Sequence, residues 1–267
     1  MQKRDVIAFL DQYAVNIKWK KNNRIMDVGC GDGGNTSILT NYVPTDFKLV
    51  GCDISTNMVK FANDNYSNER TSFAVLDIAG CLPDSMKGKF DQVFSFYALH
   101  WVLDQRRAFE NIYNLLDQDG KCFMMILCNN PVFDVYRILS RTSKWCTWVY
   151  DVQNYISPYH DSEKPEREIT TLMESIGYTD INVQCKDSNF SYPDIDIARK
   201  HFAALNPFKI PKDKNNDFMD DYIEVLKELE NRHKLNTKNF LNGITLYYKL
   251  LFVFGRKPSS SEHCSKY

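Results

Sequence analysis

The chain has 267 residues, 43% hydrophobic and 25% charged, with 33 basic side chains against 34 acidic ones and a net charge of −1. That balance describes a globular chain with a sizeable core and excludes disordered and fibrous classes. A near-neutral surface offers no broad positive field for a phosphate backbone, so nucleic acid is not expected as a partner.

Val6, Phe9, Leu10, Tyr13 and Ile17 recur at helical spacing, so an amphipathic helix opens the chain. Its uninterrupted apolar stretch, residues 6–10, is too short for a secretory signal. The longest apolar run elsewhere, residues 122–128, falls far below the roughly 18 residues of a membrane span. From residue 24 the period changes. Short runs at 24–28, 48–53, 73–77, 91–96 and 121–127 alternate with helical patterns around 38–42, 56–63 and 106–116. Runs apolar on both faces and separated by helices predict a parallel sheet covered on both sides. Helical spacing follows at 132–139, 145–155, 169–176 and 218–229, with two further strands predicted at 181–185 and 245–254. The expected layout is a single domain over 1–258, with a core of about 21–130 and helical cap elements at about 131–176 and 190–242. The polar, serine-rich residues 259–267 form an expected flexible tail. None of the eight cysteines forms a Cys-x-x-Cys pair, which points to reduced thiols and a cytoplasmic location. No His/Cys spacing suits zinc, and no metal is expected.

Asp27-Val28-Gly29-Cys30-Gly31-Asp32-Gly33-Gly34 sits where the first run gives way to a helix. Glycines there permit a sharp turn and let a ligand approach bare backbone. Gly29, Gly31 and Gly34 also satisfy Gly-x-Gly-x-x-Gly, which keeps a dinucleotide reading open. Asp27 weighs against it: a carboxylate inside the strand end repels a pyrophosphate but suits an ammonium or a sulfonium. Asp53 ends the second run, where a carboxylate can accept both ribose hydroxyls. Asp77 ends the third, placed to accept from an adenine amino group beside Ile78. Each alone could be a cap or turn aspartate; three at successive strand ends are harder to assign to caps.

The set Asp27-x-Gly29-x-Gly31, Asp53, Asp77-Ile78 and Ser95 resembles the binding motifs of the Rossmann-like (class I) S-adenosylmethionine-dependent methyltransferases. The resemblance implies an α/β fold with seven mostly parallel strands, helices on both faces, a last strand inserted antiparallel, and a helical substrate-binding insert before it. It implies S-adenosylmethionine as cofactor, with Asp27, Gly29 and Gly31 by its methionine part. Asp53 would hold the ribose and Asp77 with Ile78 the adenine, and Ile54 and Ser95 would be further cofactor contacts; His100, read from the residues alone as packed or cofactor-covering, is expected on the cofactor side. The resemblance also packs Met58 on the adenine ring, although the residues alone equally allow a core methionine.

A closer resemblance rests on Gln2-Lys3-Arg4-Asp5, Leu49-Val50-Gly51-Cys52-Asp53-Ile54-Ser55, Phe94-Ser95-Phe96-Tyr97-Ala98-Leu99-His100-Trp101, Asn130-Pro131-Val132-Phe133-Asp134 and Ile156-Ser157-Pro158-Tyr159-His160. It continues through Asn206-Pro207-Phe208 and Asp220-Asp221-Tyr222-Ile223. These segments are similar to the insect juvenile hormone acid O-methyltransferases. That resemblance implies a small apolar carboxylic acid as substrate, farnesoic acid or juvenile hormone acid, converted to its methyl ester. It assigns Gln2 and Trp101 as the donors that hold the carboxylate; the residues alone allow Trp101 to be a core aromatic. Tyr97 and Ser157 are expected near the polar end of an apolar slot, with Trp148 and Tyr155 among its aromatic lining. The resemblance also implies a segment before Gln2 that folds over the site, so a chain starting at Met1 is expected to bind cofactor with reduced turnover. Methylation of another small acid or a phenol, and a binding protein without turnover, remain rival readings, and a homodimer remains possible.

Overall fold

The structure is a computed structural model that describes residues 1–233 and 243–263. Residues 234–242, at the end of the second expected cap element, and 264–267, at the end of the expected tail, lie outside the described residues.

Helix α1 (Gln2–Tyr13) is followed by β1 (Asn23–Val28), α2 (Gly34–Leu39), β2 (Phe47–Asp53), α3 (Thr56–Tyr66), β3 (Thr71–Val75), β4 (Phe90–Phe96), α4 (Gln105–Leu115) and β5 (Leu116–Asn129). Then come α5 (Pro131–Ser140), α6 (Pro165–Ile176), β6 (Thr179–Tyr192), α7 (Ile195–Leu205), α8 (Asn215–His233) and β7 (Ile244–Arg256). The seven strands form one sheet in the order β3-β2-β1-β4-β5-β7-β6. The first five pair in parallel, and the last two run antiparallel, with β7 inserted between β5 and β6. β1 and β4 are buried along nearly their whole length, as strands covered on both faces must be. Helix starts carry the side chains that satisfy free backbone N–H groups: Ser55 on α3, Asp104 on α4, Asn130 with Pro131 on α5, and Asp194 on α7.

The described residues divide into two compact units. One holds Met1–Ile126, Glu163–Cys185 and the segment from Leu251; the other is drawn from Leu127–Ser162 and Lys186–Leu250. In the first, Phe9 of α1 lies edge-on to Phe96 and Phe252 and stacks on Phe254 at 5.7 Å, which seats α1 on the sheet. In the second, Trp145 meets Phe218 at 5.1 Å, Tyr136 meets Phe208 at 5.1 Å, and the Trp145 indole N–H donates to Asp221 at 2.6 Å.

Two expectations need correction. The helix predicted at 145–155 is a series of turns ending in a 3-10 turn, Val152–Tyr155; Asp151, at φ 51°, is left-handed and cannot continue a helix. The third strand stops at Val75, so Asp77 lies two residues beyond it, in a turn closed by its own Oδ1 accepting from the Ala79 N–H at 2.9 Å.

Candidate active site

Asp27 pairs in register with Gly51 of β2 and Phe94 of β4, in the middle of the sheet, and its side chain is buried. Its Oδ2 accepts from the Thr36 hydroxyl at 2.6 Å, whereas Oδ1 has no hydrogen-bond partner among the described residues. Burial pushes this acid up to about 7, assisted by the negative charge of Asp53 and opposed by the Thr36 bond. Past the strand end, Gly29, Gly31 and Gly33 adopt φ of 73°, 54° and 84°, a region that costs other residues steric strain. A Cβ on Gly29 would stand 2.1 Å from that of Ala98, while one on Gly31 would meet no atom within 4 Å. The loop is closed at Gly29 and open at Gly31. Gly34, the third glycine of the Gly-x-Gly-x-x-Gly reading, instead opens α2 and donates its N–H to Asp32 at 2.9 Å; Gly33 holds the third left-handed position.

Asp53 lies across the loop. Its Oδ2 accepts from the Gly31 N–H at 3.0 Å and its Oδ1 from the Ser55 N–H at 2.9 Å, which fixes the carboxylate and leaves each oxygen a further lone pair. Ile54 is 67% exposed and Met58, in the first turn of α3, 46%, so Met58 is not a core residue. Ile78 is buried, and its carbonyl and that of Gly80 accept from the Asn111 side chain of α4. Ser95 plays a structural part: its buried hydroxyl donates to the Val28 carbonyl at 2.9 Å and ties β4 to β1.

At the end of β4, Tyr97 holds a left-handed φ of 54°, and its hydroxyl donates to Asp5 Oδ2 of α1 at 2.6 Å. Asp5 also accepts from Arg4 Nε at 3.0 Å. Gln2, in the first turn of the same helix, is half-buried. His100 is buried, its Nδ1 lacks a partner among the described residues, and burial depresses it to about 3, so the ring is neutral. Trp101 packs against it at 4.8 Å yet is 45% exposed, which removes the core-aromatic reading.

The other three expected residues belong to the second unit. Trp148 lies beside Trp145, with the Lys214 ammonium 5.6 Å from its ring, and Tyr155 meets Phe208 at 5.1 Å. The Ser157 hydroxyl is buried and accepts from the Tyr159 N–H at 3.3 Å, a local turn bond. His160 was not singled out from the sequence. Its Nε2 lies 3.0 Å from Asp134, and its Nδ1 lies 3.1 Å from the Asn129 amide, which also donates to the His160 carbonyl. Sequence reasoning also missed Thr36, Asn111 and Gln105, none of which belongs to a motif of distinctive spacing, and within the glycine stretch it took Gly34 rather than Gly33 as the third glycine.

In the first unit, the unpartnered Oδ1 of Asp27 and the unfilled space over Gly31 fit a ligand with a cationic end beside a nucleoside. A pyrophosphate would instead meet two carboxylates. This cradle, at the head of a β3-β2-β1-β4-β5-β7-β6 sheet, defines a class I methyltransferase that uses S-adenosylmethionine. A family described as "Methyltransferase domain" matches residues 26–124. The juvenile hormone acid O-methyltransferase of Bombyx mori is 48% identical over 260 residues, covering 96% of this chain and 94% of that one. The enzyme of the same name from Drosophila melanogaster is 37% identical over 271 residues, covering 96% and 89%. The chain belongs to the juvenile hormone acid O-methyltransferase family. Solved structures agree on the fold. The YcgJ protein of Bacillus subtilis superposes with a TM-score of 0.65 at 17% identity, covering 95% of this chain and 100% of that one. Phosphoethanolamine N-methyltransferase 2 of Haemonchus contortus, in complex with S-adenosyl-L-methionine, gives 0.58 at 17% identity, covering 96% and 53%. No helix among the described residues is long and apolar enough to cross a membrane.

Proposed function

We propose that this chain methylates the carboxylate of juvenile hormone acid or farnesoic acid, giving the methyl ester. When bound, S-adenosylmethionine supplies an electrophilic methyl group on a sulfonium. Asp27 Oδ1 takes the cationic methionine end, the Gly29–Gly31 backbone lets it approach, Asp53 holds the ribose, and Asp77, Ile78 and Met58 hold the adenine. Gln2 and Trp101 each donate one hydrogen bond to the acceptor carboxylate. Such alignment is worth about 7–11 kcal/mol in favourable cases.

His100 carries the choice of acceptor. Held near 3 by burial, its imidazole is too weak a base to deprotonate a phenol, whose pKa is about 10, whereas a carboxylic acid arrives ionised at neutral pH. The acid therefore needs neither base nor metal, only orientation and exclusion of water. Free buried thiols at Cys30, Cys52 and Cys122 support a reducing, cytoplasmic setting for the reaction.

The test is a methyl-transfer assay with juvenile hormone acid, farnesoic acid, a saturated fatty acid of similar length and a simple phenol. Methyl esters of the first two and no methylated phenol are expected, with Trp101→Phe raising KM for the acid severalfold. Absence of ester from both terpenoid acids would overturn the proposal.

A further inference from the structure

We propose that two amide side chains of α4, Asn111 and Gln105, are positioning residues that set the adenine side and the carboxylate side of the site separately. Asn111 is buried, and both hydrogens of its Nδ2 are engaged, with the Ile78 carbonyl at 2.8 Å and the Gly80 carbonyl at 2.9 Å. Two carbonyls so close in sequence converge on one amide only when the chain curls around it. The curl is the turn that carries Asp77, closed by the Gly80 N–H donating to the Asp77 carbonyl at 3.0 Å and the Ala79 N–H to the Asp77 carboxylate at 2.9 Å. Asn111 thus anchors to α4 a turn that is otherwise held by bonds within itself.

Gln105 does the same at the other loop. Its Nε2 donates to the Leu99 carbonyl at 2.8 Å and the Val102 carbonyl at 2.6 Å, on either side of His100 and Trp101. The two amides are six positions apart, which sets them about 120° from each other around a helix axis, so they face different loops. Removing the Asn111 donors leaves the Ile78 and Gly80 carbonyls short of a partner, and removing the Gln105 donors leaves that of Val102 short while Leu99 keeps the Val102 N–H, so each change loosens one loop without touching the other. The inference rests on the reading above, in which Asp77 and Ile78 hold adenine and Trp101 holds the carboxylate.

The experiment titrates the full chain calorimetrically with S-adenosylhomocysteine and with S-inosylhomocysteine, whose base bears a carbonyl oxygen in place of the 6-amino group. The unsubstituted chain is expected to prefer the adenosyl compound, because Asp77 accepts from that amino group. In Asn111→Leu and Asn111→Ser the preference should fall about tenfold, through loss of adenosyl affinity alone; general loosening would weaken both ligands equally. Gln105→Leu should leave both affinities within about twofold while raising KM for the acid about fivefold or more. An unchanged preference in Asn111→Ser, or loss of the fold in both Asn111 variants, overturns the role of Asn111. A Gln105→Leu variant that loses cofactor affinity along with acid affinity overturns that of Gln105. If the unsubstituted chain binds neither nucleoside, the cofactor reading falls, and this inference with it.

Discussion

Gly29 and Gly31 share a left-handed backbone, yet their surroundings set opposite tolerances. Alanine at Gly29 would drive its Cβ to 2.1 Å from that of Ala98, at the start of the segment that carries Trp101, so the loop must move or the fold fail. Alanine at Gly31 meets no atom within 4 Å, and its cost to the empty protein is the conformational strain alone, about 1–2 kcal/mol. That same methyl group occupies the space over the open side of the loop. Gly31→Ala should therefore melt only a few degrees lower and lose S-adenosylhomocysteine binding, read by thermal denaturation and calorimetry on one sample. Retained binding would show that the cofactor does not cross Gly31. At this scale the sequence was legible where a residue type excludes other chemistry, as a carboxylate at Asp27 excludes a pyrophosphate. It was silent where adjacent residues share a type: the choice between Gly33 and Gly34 depends on φ, which composition does not carry. Thr36 was equally invisible, since its value lies in a 2.6 Å bond to Asp27 across nine residues.

Helix α1 is tied to the end of β4 by the Tyr97 hydroxyl, which donates to the buried Asp5. Gln2 lies one turn before Asp5, and Trp101 lies four residues after Tyr97, so this bond holds together the two elements that bear the proposed carboxylate donors. Tyr97→Phe removes the bond and leaves a buried carboxylate short of a donor, a loss of about 1–3 kcal/mol. The expected result is a severalfold drop in kcat/KM for the acid, with S-adenosylhomocysteine affinity within about twofold. A parallel fall in both would mean that Tyr97 supports the whole sheet edge rather than the acceptor side. Among the elements, β1, β4 and the apolar part of β5 were legible because runs buried on both faces leave no polar alternation, while the other strands showed as short apolar runs between turns and helices. Their ends were less so. β6 continues to Tyr192 through Asp187, Ser188 and Asn189, because a hydrogen-bonded ladder extends past the apolar residues that reveal it. The aromatic spacing at 145–155 mimicked a helix for a related reason: rings such as Trp145 are placed by what they meet, here Phe218 and Asp221, whatever the backbone between them.

For the molecule as a whole, the order of elements was legible from alternating periods, whereas the points at which the chain passes between its two compact units were not, since they fall inside β5, β6 and β7. Among the groups that shape its response to pH, two buried ones have opposite displacements. His100 is depressed to about 3, against about 6.5 in an unfolded chain, so below pH 6.5 the unfolded state takes up the proton first and stability falls as pH falls. Asp27 is raised to about 7, against about 3.9 unfolded, so the folded state binds the extra proton and stability falls as pH rises from about 4 to 7. Each slope is at most about 1.4 kcal/mol per pH unit. The two oppose each other between about pH 4 and 6.5; from there to about 7 Asp27 is opposed instead by the Met1 amino group, which burial holds below its usual value. A cation at Asp27 Oδ1 favours the carboxylate form and draws a proton off the protein. Affinity for S-adenosylhomocysteine should therefore be about tenfold weaker at pH 6 than at pH 8, the ratio that an acid near 7 imposes when only its ionised form binds. Calorimetry at pH 6, 7 and 8 measures this slope directly, and Asp27→Asn should flatten it. A slope that survived in Asp27→Asn would assign the proton to another group and leave Oδ1 without its proposed partner.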